Sequence, residues 1–136
     1  MDSRSLAPGE IGPAAEITPL LQKALMTGGD SQMIRGSLLA LGRLPVDSKV
    51  RQLLPLGAAT RSYLKSGHPS SREAAVLALG LGGGPEDLNS LLDLFQATPA
   101  GIKLMGEERV DPRTRAFAAY SLSLFAGRTA DAADKE

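Results

Sequence analysis

One stretch of this chain is written more than once, and that repetition limits the fold more than any other feature. Residues 29–42 read GDSQMIRGSLLALG and residues 67–80 read GHPSSREAAVLALG. They align without a gap at an interval of 38 residues, and both close on Ala-Leu-Gly. A third copy, DPRTRAFAAYSLS, spans residues 111–123 and aligns 43 residues further on. It matches Pro69, Arg72, Ala75 and Leu79 with Pro112, Arg115, Ala118 and Leu122. A period of this length is the signature of stacked units, each unable to bury its apolar face alone.

Each copy reads as a helix. Asp111 before Pro112 is an N-cap followed by the favoured first-turn proline, Pro69 has the same place in the second copy, and Asp30 and Ser31 are able to cap the first. Pro45 is expected to stop the first copy and Gly127 the third. A second helix precedes each. Thr18-Pro19 opens one that ends near Gly28-Gly29, with Leu20, Leu21, Ala24 and Leu25 on one face. Asp47 or Ser48 opens another, kinked or split by Pro55. Pro85-Glu86-Asp87 opens the last, with Leu88, Leu91, Leu92 and Phe95 as its apolar face and acids at the positive end of the helix dipole. Residues 97–110, with Pro99, Gly101 and Gly106, read as a long loop, and no strand is expected.

The composition agrees. The chain is 43% hydrophobic but only 4% aromatic, without Trp. The core must be made of Leu, Ala, Val, Ile and Met, side chains that favour close helix packing over a sheet sandwich. Alanines in the second copy fall on several faces of its helix, and such a helix must be covered on several sides.

At these residues the chain resembles HEAT repeats, above all the short bacterial variety of phycobilin-lyase type. The shared pattern is an Asp-Pro turn, an Arg four residues after the Asp, then Ala-Ala and Ala-Leu-Gly. Ile34 in the first copy, His68 in the second and Ser123 in the third depart from it. The resemblance, over residues 17–126, implies an all-α fold, an α-solenoid of about three antiparallel helix pairs in an armadillo-like superhelix. It also implies an Asp–Arg ladder, complete here only as a turn pair of Asp111 with Arg115. The expected organisation is a flexible start (1–12), a helical repeat domain (13–127) and a flexible tail (128–136).

The position before Ala-Leu-Gly faces the inner surface of such repeats and is usually polar. Here it holds Leu39, Leu77 and Tyr120, with Phe117 one turn before Tyr120. This apolar ladder is the candidate partner-binding surface for a protein or peptide. Other features carry less. Arg72 and Arg115 suit acidic ligands but also local acid–base pairs, and with Arg35 and Tyr120 they are the polar groups an enzyme pocket would draw on. Gly80, Gly82, Gly83 and Gly84 lack the strand before and Lys-Ser/Thr after that a phosphate loop requires, and read as a turn. His68, the single histidine, has no companions at metal-ligand spacing. Glu86-Asp87 and Glu107-Glu108 are adjacent acids that begin a helix and solvate a loop.

No catalytic residue, metal or cofactor is expected. Fifteen basic residues balance fifteen acidic ones, which disfavours nucleic acid as a partner. No segment approaches the ~18 apolar residues of a membrane span. The absence of cysteine fits a reducing, cytoplasmic setting. The expected function is a non-catalytic binding or scaffolding module. Alternatives are an enzyme or accessory of the HEAT-like lyase or DNA-glycosylase type, or a piece of a longer solenoid. Self-association through end faces is a further expectation.

Overall fold

The computed structural model describes residues 13–44, 56 and 58–135, with side chains to residue 130. Among them are seven α-helices packed against each other, and no strand. They are α1 (Ala14–Thr27), α2 (Ser31–Arg43), α3 (Ala58–Ser62), α4 (Pro69–Gly82), α5 (Pro85–Gln96), α6 (Pro99–Met105) and α7 (Pro112–Lys135). A 3-10 turn, Tyr63–Lys65, continues α3.

The helix starts follow the chemistry of their caps. Asp30 Oδ1 accepts from the Gln32 N–H at 2.7 Å and Asp111 Oδ1 from the Thr114 N–H at 2.6 Å, so each satisfies an amide that has no partner within the first turn. At α5 the side chain of Asp87 reaches back to the Gly84 N–H at 2.8 Å. Pro69, Pro85, Pro99 and Pro112 each stand first in their helices, where a missing N–H costs nothing.

Four boundaries differ from the sequence expectation. Helix α1 begins one turn before Thr18-Pro19 and carries Pro19 inside it. Ala14 and Thr18 are buried there, and their packing offsets the one backbone bond that the proline forgoes. Residues 97–110 are not a plain loop: Thr98 caps Gly101 N–H at 3.1 Å and starts α6. Gly127 does not end α7, since a single glycine in a long helix costs only about 1 kcal/mol. The supposed tail from Arg128 is the continuation of that helix to Lys135. Pro45, Asp47, Ser48 and Pro55, and the stretch 1–12, lie outside the described residues.

The three copies of the repeated segment are α2, α4 and the first half of α7, and α4 lies between the other two. Helix α1 packs on α2, the 3-10 turn on α4, α5 on α7, and α6 on α5. One cluster runs through all of them, including Leu25, Leu38, Leu41, Leu64, Val76, Leu79, Leu91, Leu94, Met105 and Ala118. Each fully buried leucine contributes about 1.5–3 kcal/mol. Helix α4 is buried on several sides, at Ser71, Ala74, Ala75, Val76, Ala78, Leu79, Gly80 and Gly82, which is why its apolar residues are not confined to one stripe.

The two joints in this row are alike. A Cβ built on Gly42 would lie 2.8 Å from the Ala78 Cα, and one on Gly80 would lie 2.8 Å from the Ser121 Cα. Gly42 and Gly80 are the same repeat position, and so are Ala78 and Ser121. The closing glycine of Ala-Leu-Gly is therefore a point of close approach between one copy and the next. Ser123 has this position in α7, where it is exposed and donates to Tyr120 O of its own helix at 2.6 Å.

Candidate functional site

The four residues of the expected ladder differ in exposure. Leu39 is half-buried and packs against the core, as does Phe117. Leu77 is half-buried. Tyr120 stands open at 59% exposure. Phe117 lies four residues before Ser121, which donates its hydroxyl to Val76 O of α4 at 2.9 Å. It therefore shares the face of α7 that meets α4 and not the open side with Tyr120. The guanidinium of Arg113 sits 5.7 Å from its ring centroid, and Arg113 pairs with Glu73 of α4.

The polar groups at the same joint differ from the expected turn pair. Asp111 does not pair with Arg115. Its Oδ2 instead meets Nη2 of Arg72, in the preceding copy, at 3.3 Å. Arg115 Nε donates to Phe95 O at 2.9 Å. A side chain on the first turn points back toward the helix N-terminus, so Arg72 reaches the chain entering α4 (Ser66 O, 2.8 Å) as well as Asp111. The Asp111 carboxyl feels opposing influences. Burial pushes it up, but the bonds from Thr114 and the charge and bond of Arg72 together hold it below its ordinary value of 3.8.

In a second polar group Asp87, read from the sequence as an acid that begins a helix, also binds a cation. Asp87 is 2% exposed. Its Oδ1 accepts from Arg61 Nε at 3.0 Å while its Oδ2 caps α5. Nearby, Arg128 Nη2 donates to Gly83 O at 2.9 Å and Gly80 O at 3.4 Å, and its guanidinium lies 4.8 Å from the Phe125 ring centroid. Burial lowers the Arg128 pKa, opposed by the charge of Asp87. Arg128 closes the end of α4, where the last carbonyls carry partial negative charge. Gly80 and Gly82 therefore belong to α4 and only Gly83 and Gly84 make the turn to α5, where the sequence suggested a flexible turn over all four glycines. Only the acidic opening of α5 signalled Asp87, and nothing local signalled Arg128.

The remaining candidates are dispersed. His68 and Arg35 are exposed, and Glu107 and Glu108 lie in an exposed bend after α6. Among the described residues no three His, Cys, Asp or Glu side chains are grouped so as to hold a metal ion. No helix among them is long and apolar enough to cross a membrane. Among the described residues the candidate ladder offers one exposed aromatic side chain, Tyr120, and the half-buried Leu39, Leu77 and Phe117. No family model, no curated protein and no solved structure matches this chain.

Proposed function

We propose that the chain is a HEAT-like α-solenoid module that holds a segment of another protein. In this reading the pairs are α1 with α2, α3 and its 3-10 turn with α4, and α5 with α7, α6 being an insert. The observation that carries it is the equivalence of the Gly42–Ala78 and Gly80–Ser121 contacts. Stacked repeats use one joint many times, whereas an arbitrary helical bundle has no reason to do so. The Arg72–Asp111 bond supports it as one rung of an Asp–Arg ladder between copies.

Tyr120, at the repeat position that holds the half-buried Leu39 and Leu77 in the other copies, is the anchor for the partner. Tyrosine supplies a large rigid apolar area with a polar tip, and such residues dominate binding energy when a partner covers them. Because Tyr120 is exposed, Tyr120→Ala is expected to keep the melting temperature while removing a protein retained by the wild type in a pull-down from the source cell. Leu77→Asp should remove the same protein. Retention of identical proteins by wild type and both variants would end the proposal.

A further inference from the structure

The joint between α4 and α7 has two sides, and each side recurs, uncovered, at one end of the row of copies. On α4, Ala78 receives Gly42 of the preceding copy, and Ser71, Ala74 and Ala78 are all buried. Their equivalents on α2 are Met33, exposed at 59%, Gly36, also exposed, and the half-buried Ala40. On the presenting side, Gly80 is buried against Ser121, whereas its equivalent Ser123 is exposed.

The charges of the joint recur in the same way. Arg72 presents Nη2 to Asp111, whose other oxygen caps α7. The equivalent of Arg72 on α7 is Arg115, which spends Nε on Phe95 O and has neither terminal nitrogen bonded among the described residues. The equivalent of Asp111 on α2 is Asp30, whose Oδ1 caps the helix and whose Oδ2 has no bond among the described residues. At the joint between α2 and α4 the corresponding pair is the uncharged Ile34 with His68. A cation therefore stands at one end of the row and its matching carboxylate at the other.

We propose that this chain stacks head to tail on further copies of itself, with Arg115 of one copy pairing to Asp30 of the next and the Ser123 face of α7 seated on Met33, Gly36 and Ala40. The idea rests on the repeat reading above. Such a contact uses two different patches, so it does not close into a dimer and extends as an open row. Ser123 keeps the helices further apart than a glycine does, which makes this joint weaker than those inside the chain.

Sedimentation equilibrium over a wide concentration range at low salt tests it. The wild type is expected to grow in mass with concentration beyond two chains. Arg115→Glu and Asp30→Lys should each require about tenfold more protein, through loss of the pair and like-charge repulsion. An equimolar mixture of the two recovers assembly, since each cation then faces a carboxylate. Asp30→Asn, which caps a helix as well as Asp does, weakens assembly without touching the fold. A wild type that stays monomeric at every concentration, or an Arg115→Glu variant that assembles like it, overturns the proposal. Neither result touches the repeat reading, which stands or falls on the melting of Gly80→Ala.

Discussion

Replacing Gly80 with alanine sets two known effects against each other. Glycine inside a helix is worse than alanine by about 1 kcal/mol, so the change is stabilising wherever the methyl finds room. At Gly80 it finds none. The new Cβ would sit 2.7 Å from the Ser121 Cβ and 2.8 Å from its Cα, distances at which backbone must move. Pushing α4 and α7 apart disturbs the Ser121–Val76 bond and the Arg72–Asp111 pair on the same face. Overpacking of this kind costs about 1–3 kcal/mol, and part of that range is offset by propensity. The expected net loss is about 1–2 kcal/mol, a fall in Tm of about 3–8 °C for a domain of this size. Gly127→Ala is the control, because nothing lies within 4 Å of a Cβ there and the residue is inside α7. It should gain up to about 1 kcal/mol. Thermal melts followed by circular dichroism at low protein concentration read both. If Gly80→Ala melts as high as Gly127→Ala, the close joint does not exist and the repeat reading loses its foundation.

Three further outcomes are expected. Thr18 is buried with its hydroxyl unbonded, so Thr18→Val, of nearly the same shape, should raise stability by about 1 kcal/mol in urea titration; a loss would mean the hydroxyl has a partner. Arg128→Met removes the donors to Gly83 O and Gly80 O and should cost about 1–2 kcal/mol, while an unchanged midpoint would show that this end of α7 is not docked. Asp111 has a lowered folded pKa, so its ionic contribution is present above its ordinary 3.8 and disappears as pH falls through the folded value. Asp111→Asn, which keeps the cap, should therefore be less stable than the wild type at pH 7, and the gap should close in acid. A gap that is constant with pH would assign the effect to something other than charge.

What was legible in the sequence was the part written in periodic form. Helical copies at an interval of 38 and then 43 residues, prolines at helix starts and Asp caps are local signals, and the helices stand where those signals put them. The ends of helices were less legible. Pro19 and Gly127 are breakers in isolation, yet tertiary packing at Ala14, Thr18 and Arg128 keeps their helices running. Helix α6 was hidden because Pro99, Gly101 and Gly106 resemble loop residues, while in fact they start it, pack closely within it and end it. Repeat position does not separate the candidate-site residues by exposure: Tyr120 stands open, whereas Phe117 packs against the core cluster. Asp111 likewise pairs with Arg72 of the neighbouring copy and not with the nearer Arg115, whose Nε is taken by Phe95 O of α5.

The insertion that lengthens the third unit has an engineering meaning. Gly42 meets Ala78 at a separation of 36 residues, and Gly80 meets Ser121 at 41, yet the two contacts match. The tether linking neighbouring rods is thus a free variable, and its length is not read by the surfaces that touch. The bend at residues 107–109, exposed and following the left-handed Gly106, is accordingly a port where a fluorescent reporter or a foreign loop can be spliced while the rods on either side keep their seats.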